Sequence, residues 1–187
     1  MEVKKFNIKG LIEFQPKIFT DSRGQFIETF NEELLGSLGF NHHFKQDNQS
    51  ISKAGVFRGI HLQLDPYAQG KLVRVAKGSA IDYAVDLRPN SETFGQWQSV
   101  VLTAEKGNQF WVPAGFGHAF LALEDDTIFC YKCTEVYAPN HQVSIRWDDS
   151  DIRLDIPVEN VDVSEKDQNA LYLIEYIQQL KQISAIV

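Results

Sequence analysis

Two histidines interrupt stretches that otherwise read as apolar strands. His61 lies in "GVFRGIHLQ" (55–63) and His118 in "WVPAGFGHAF" (111–120). An imidazole titrates near neutrality, at about 6.5, so it can take or give a proton, and its neutral form also binds metals. His61 is therefore open to three readings: a metal ligand, a general base, or a polar residue in a barrel wall. Tyr131, in "TIFCYKCTEVY" (127–137), carries a phenol with an ordinary pKa of about 10, a group that stays protonated and can donate. On a strand, Phe129, Tyr131 and Cys133 share one face and Cys130 and Lys132 the other. A tyrosine so placed is more often a core residue than an acid. Cys130 and Cys133 form a CxxC, but a redox CxxC opens a helix, so two half-buried thiols are expected. Lys71, which begins "KLVRVA" (71–76), reads on composition alone as a solvated lysine.

The spacing around the histidines is similar to the cupin type of jelly roll, whose motifs run G-x5-H-x-H with a following Glu, then G-x5-P-x-G-x2-H. Gly55 and His61 give the start of the first; Gly107, Pro113, Gly115 and His118 complete the second. The first breaks at Gln63, where the second histidine would stand, and "LDPY" supplies no Glu. Asp65 precedes Pro66 and reads as a turn. Two imidazoles without a carboxylate or a third imidazole make a poor zinc, iron or manganese site. No metal and no cofactor are expected, and two histidines aimed into one barrel become acid–base candidates.

"GVFRGIHLQ", "QGKLVRVAKGSAIDYAVDLRPNSETFG", "WVPAGFGHAF" and "CYKCTEVYAP", in this order, resemble the dTDP-4-dehydrorhamnose 3,5-epimerase family. "FTDSRGQFIETF", "KQDNQSIS" and "SEKD" fit it too, so the resemblance runs from about Lys17 to Asp167. It implies a metal-free, cupin-fold homodimer that inverts C3 and C5 of dTDP-4-keto-6-deoxy-glucose through enolates. It implies His61 as base, paired with Asp167, and Tyr131 as acid. Lys71 and His118 would surround the keto oxygen. Arg23, Arg58 and Lys166 would meet the diphosphate end, and Glu28, Gln46, Asp47 and Asn48 would line the site. Tyr137 would stack on thymine, with Phe26 covering the base from a strand that the partner subunit can supply. Gln142 stands where a Glu is common, "GFGHAF" replaces "GFAHGF", and Leu62 replaces a common Tyr. Without the resemblance, Asp167 reads as a helix N-terminal carboxylate, Arg23 as a turn residue and Tyr137 as a strand-end aromatic.

One geometric difficulty stands. Arg58 and His61 are three apart and face opposite sides of a regular strand, so sharing a ligand requires a bulge or twist at Gly59.

The elements that must hold these groups are mostly short strands. "KLVRVA" (71–76), "SAIDYAVDLR" (79–88), "NQFWVP" (108–113) and "TIFCYKCTEVY" (127–137) are separated by turns at Lys77-Gly78, Pro89-Asn90-Ser91 and Glu124-Asp125-Asp126. Such spacing over 44–150 predicts a mainly β sandwich, jelly roll or barrel. A short N-terminal helix is expected over 31–39, with Asn31 as cap, and a C-terminal helix over 164–180 with Leu171, Ile174, Ile177 and Leu180 as its apolar stripe and Ser164 as cap. The 187 residues fit one domain. A net charge of −7 argues against nucleic acid or an anionic membrane as partner. With no signal sequence and no apolar run long enough to span a bilayer, a cytoplasmic protein is expected. Rival functions are a single-centre epimerase or ketoisomerase on a related dTDP-4-keto sugar, a non-catalytic sugar-nucleotide-binding cupin, and a metal-dependent cupin enzyme.

Overall fold

Alternation of apolar and polar residues builds two antiparallel sheets that face each other. The computed structural model describes residues 1–184. The chain begins with strands β1 (Glu2–Lys5), β2 (Ile12–Gln15), β3 (Ile18–Asp21) and β4 (Gly24–Ile27), then helix α1 (Glu32–Ser37). The barrel strands follow: β5 (Gln46–Ser52), β6 (Val56–Gln63), β7 (Lys71–Lys77), β8 (Ser79–Asp86), β9 (Trp97–Thr103), β10 (Gln109–Val112), β11 (Phe116–Ala122) and β12 (Thr127–Cys133). β13 (Gln142–Ser144), β14 (Asp162–Val163), α2 (Glu165–Gln168) and α3 (Leu173–Ser184) complete it. One sheet has the order β1-β2-β10-β7-β12-β5 and the other β13-β6-β11-β8-β9, with β14 parallel beside β6. β3 and β4 form a separate hairpin.

Between the sheets, Val73, Val75, Phe110 and Phe129 of the first pack against Ala84, Val100, Leu102 and Phe120 of the second. Phe120 and Phe129 stack with ring centroids 4.0 Å apart. The second sheet is covered on its other face as well: Phe57, Ile60, Leu62, Tyr83 and Leu121 pack with Ile145, Ile152, Leu173 and Tyr176. That double cover explains why β11 is buried at every position instead of alternating.

The mainly β sandwich is as the strand spacing predicts, but both helical expectations change. The N-terminal region is headed by four strands, and the helix capped by Asn31 runs only over Glu32–Ser37, so the chain has no leading helix. The stretch 164–180 is two helices. Asn169 ends the first, and Leu171 leaves the helix to pair with Ile145. The second starts afresh: the Leu173 N–H donates to Asp149 Oδ2 at 2.7 Å, and the Tyr172 N–H donates to Glu175 Oε2 at 2.7 Å. The buried stripe is consequently Leu173 and Tyr176 with Ile177 and Leu180 beside them, while Ile174 is 52% exposed. The strand expected over 127–137 stops at Cys133, leaving Tyr137 beyond it.

The register of β6 against β11 resolves the Arg58 difficulty. His61 lies opposite His118, but Arg58 lies opposite Phe120, so three steps on β6 match two on β11. The extra residue is taken up at Gly59, whose φ is +132°. Arg58 and His61 thereby share the inner face, and Phe57 and Ile60 the outer one. Only glycine fits: a Cβ there would lie 2.3 Å from Ala119 Cβ and 2.7 Å from the His118 carbonyl oxygen. Gly59→Ala should therefore destabilise the protein by about 2 kcal/mol or more, read as a lower urea midpoint at unchanged m-value. An unchanged midpoint would refute the bulge.

Candidate active site

His61 is oriented by a carboxylate from the far end of the chain. β14 lies alongside Val56 and Phe57 of β6 and so delivers α2 to that strand. Ser164 caps α2, its Oγ accepting the Asp167 N–H at 3.2 Å. Asp167 Oδ1 then lies 2.5 Å from His61 Nε2, with the Asp167 side chain almost wholly buried and the imidazole partly open. Burial works to push the Asp167 carboxyl up. The hydrogen bond and charge of His61, with support from Ser164 and the Gly59 N–H, outweigh it and hold the carboxyl below its ordinary value. An ionised Asp167 accepts the Nε2 proton and leaves Nδ1 of His61 as the basic nitrogen.

A second imidazole–carboxylate pair sits deeper. His118 Nε2 lies 2.8 Å from Asp82 Oδ2, and both residues are buried. Burial pushes His118 down and Asp82 up, while their mutual attraction opposes both shifts. Burial works against the charge on each partner, and their mutual attraction, with that of Lys71 for Asp82, works to keep it. Asp82 engages Nε2 of His118 and leaves Nδ1 for a bound ligand. Lys71, beside this pair, is pushed down by burial and partly restored by Cys133 and Asp82. The Lys71 ammonium lies 3.5 Å from the His61 carbonyl oxygen.

These groups line one cavity of about 480 Å³: His61, His118, Arg58 and Phe120 on one side, Lys71 and Tyr131 on the other, and Lys166 and Asp167 from α2 at the rim. Burial pushes the Tyr131 phenol up, so it remains a proton donor. A neighbouring cavity of about 410 Å³ shares His61, Lys71, Tyr131 and Lys166 and adds Gln46, Asn48, Tyr137 and Gln142. The two form one cleft, with the Tyr137 hydroxyl donating to Gln142 Oε1 at 2.8 Å in its outer part. Among the described residues no group of three His, Cys, Asp or Glu side chains could hold a metal ion, and each imidazole of the cleft faces its own carboxylate.

Four residues expected at the site lie elsewhere in the chain. Arg23 and Phe26 belong to the β3–β4 hairpin, where Arg23 pairs with Asp21 at 2.6 Å and Phe26 is 65% exposed. Glu28 follows that hairpin and accepts from Asn31 Nδ2 at 3.1 Å. Asp47 faces outward from β5, the consequence of strand alternation between Gln46 and Asn48, and pairs with Lys132 at 2.7 Å. Conversely, Asp82 escapes the sequence reading. Its only signal is a carboxylate inside the apolar run "SAIDYAV". Two of the sequence departures turn away from the cavity. A Cβ at Gly117 would meet Ile60 and Leu87, and Ala119 packs against Gly59, so "GFGHAF" shapes the outer layer.

A family model described as dTDP-4-dehydrorhamnose 3,5-epimerase matches residues 5–175. The dTDP-4-dehydrorhamnose 3,5-epimerase of Methanothermobacter thermautotrophicus is 49% identical over 168 residues, 88% of this chain and 90% of its own. The fold is shared with a dTDP-6-deoxy-D-glucose-3,5-epimerase from Legionella pneumophila in complex with dTDP-4-keto-L-rhamnose, at TM-score 0.91, 41% identity and 96% coverage of both chains. It is shared too with a 3'-monoepimerase from Streptomyces bikiniensis in complex with dTDP-quinovose, at TM-score 0.86, 32% identity and 96% coverage of both chains.

The environment of Lys71 has a measurable signature. Its ammonium should lose its proton below the ordinary lysine value of about 10.4, the cation being present at lower pH and lost as pH rises through the depressed pKa. Lysine-selective NMR titration reads this directly. Asp82→Asn, which removes a supporting negative charge, should move the transition lower still. A Lys71 titration at or above the ordinary value would contradict the buried setting.

Proposed function

The chain belongs to the dTDP-4-dehydrorhamnose 3,5-epimerase family, and from that premise we propose that it inverts C3 and C5 of dTDP-4-keto-6-deoxy-glucose to give dTDP-4-keto-L-rhamnose. It is an isomerase-class enzyme of the cupin jelly-roll type. The observation that carries the residue roles is the pairing of two kinds of proton carrier in one cavity. His61, held at 2.5 Å by Asp167, enters from one sheet, and Tyr131 from the other.

The chemistry follows from the ketone at C4. A hydrogen on C5 or C3 is acidic because the electron pair left behind delocalises onto O4 as an enolate. Nδ1 of His61 takes that proton, and Asp167 stabilises the imidazolium that results. Lys71 and the Nδ1–H of His118 meet the charge that develops on O4, with the buried setting strengthening both. Tyr131 delivers a proton to the opposite face of the same carbon, and the ketone is restored with that centre inverted. Solvent then takes the proton from the partly open His61 and returns one to the Tyr131 phenolate, and repeating the cycle at the second carbon completes the reaction.

The outer cleft serves the nucleotide. Arg58 Nε donates to Ser52 Oγ at 3.2 Å, which fixes the guanidinium and leaves its terminal nitrogens for a diphosphate oxygen, with Lys166 opposite. Tyr137 offers a stacking face for the base, and Gln46, Asn48 and Gln142 offer polar contacts. The β3–β4 hairpin, with Phe19 51% and Phe26 65% exposed, completes the site of a second subunit in a homodimer, bringing Arg23, Phe26 and Glu28 to the partner's cleft. Asp47 takes no part in the cleft of its own chain. No helix among the described residues is long and apolar enough to cross a membrane, and a cytoplasmic setting suits a nucleotide-sugar substrate.

The similarity to a 3'-monoepimerase keeps one rival alive, inversion at C3 alone. Turnover in deuterated water separates the two: double inversion should place deuterium at both C3 and C5, label at C3 alone would establish the rival, and label at C5 alone would refute both. His61→Ala should lower kcat by about 10²–10⁴-fold while dTDP binds within a few-fold of wild type. Full turnover by that variant would remove the mechanism. Gel filtration should give about twice the 21.3 kDa chain mass, and a monomer would refute the shared site.

A further inference from the structure

The inner wall of the cavity contains a strand whose polarity is reversed. Along β5, Gln46, Asn48, Ser50 and Ser52 turn inward, whereas Ile51 on the outer face is 58% exposed. An inner face made only of polar side chains is the opposite of what a sandwich core requires, so each of these groups needs a partner. Three have one. Gln46 Nε2 donates to Asn48 Oδ1 at 2.9 Å, and Gln46 Oε1 accepts the Tyr137 N–H at 2.7 Å. Asn48 Nδ2 lies 3.6 Å from Cys133 Sγ. Ser52 Oγ accepts from Arg58. The fourth, Ser50 Oγ, is buried and has no hydrogen-bond partner among the described residues, and Ser50 lines the cavity that holds His61, Lys71 and Tyr131.

Register fixes where that hydroxyl lies. Asn48 is opposite Tyr131, and Ser50 is opposite Phe129, whose ring is covered by Phe120. Ser50 is thus one inward step from the phenol and one from Ser52, the anchor of Arg58. It stands between the proton donor and the guanidinium.

We propose that Ser50 is a specificity-determining residue whose hydroxyl hydrogen-bonds the C2 hydroxyl of the hexose. This rests on the epimerase reading and on Arg58 meeting the diphosphate. A hexose that is a ketone at C4, deoxy at C6 and esterified at C1 has hydroxyls only at C2 and C3. The C3 hydroxyl changes position when its carbon inverts. The C2 hydroxyl stays in place from substrate to product, and it is the one next to the diphosphate-bearing carbon. A rigid strand residue beside Arg58 suits the hydroxyl that does not move. A buried hydroxyl that only this group satisfies would also reject a sugar lacking it.

The test compares kcat/KM for dTDP-4-keto-6-deoxy-glucose and for its 2-deoxy analogue. Wild type should favour the first by about 10-fold or more, and Ser50→Ala should lose about 10-fold on the first while staying within about two-fold on the second. Ser50→Thr, which restores a hydroxyl, should recover part of the loss. Equal losses on both sugars, no loss on either, or a wild type indifferent to the C2 hydroxyl would each overturn the assignment. The last comparison needs no variant, so it stands even if a substitution perturbs folding. A wild type that turns over neither sugar would count against the epimerase reading instead, which keeps the two failures apart.

Discussion

The bond between His61 Nε2 and Asp167 Oδ1 constrains the rest of the molecule. An ionised carboxylate removed from water costs several kcal/mol unless hydrogen bonds replace its hydration. Here the replacements come from the imidazole, the Ser164 hydroxyl and the Gly59 N–H. Each requires a specific piece of architecture. The imidazole must face inward on β6, Gly59 must sit at the bulge, and Ser164 must cap a four-residue helix beside the same strand. The short parallel pairing of β14 with β6 makes sense in this light, since it aims α2 at the bulge.

The barrel interior treats its two imidazole–carboxylate pairs differently. Asp167 is held below its ordinary value, near the mouth and rich in donors, whereas Asp82 is driven above it, deep and with one oxygen lacking a hydrogen-bond partner among the described residues. The same two residue types thereby acquire distinct capacities. In the proposed mechanism the outer pair supports a base that becomes cationic, and the inner pair stands beside a lysine whose charge burial opposes. In the proposed mechanism, separating titration behaviour through surroundings alone lets one cavity host both proton removal and charge stabilisation.

Much of this was legible from residue order, for identifiable reasons. Strand alternation put Tyr131 with Phe129 and Cys133, and the turn residues marked most barrel strands. The G-x5-P-x-G-x2-H spacing located His118. What alternation could not supply was the change of face at Gly59, because a bulge is settled by the partner strand's register and not by the strand's own sequence. Nor could periodicity see that Leu171 would leave its helix for a bridge to Ile145, or that Leu173 would take over the buried stripe. Asp82 escaped because an acid in an apolar strand looks like an error until its imidazole partner, 36 positions away, is folded against it. Arg23 and Phe26 are remote from the cleft of their own chain because the hairpin carrying them joins neither main sheet.

The sequence separation within the outer pair, 106 positions, has a consequence during synthesis. The N-terminal strands, both main sheets up to β12 and the imidazole emerge from the ribosome well before residue 167 does. Until then His61 lacks the carboxylate that orients it. In the proposed mechanism, proton abstraction becomes available only when the segment carrying Asp167 reaches β6, so catalytic competence waits on a contact made across 106 positions of chain.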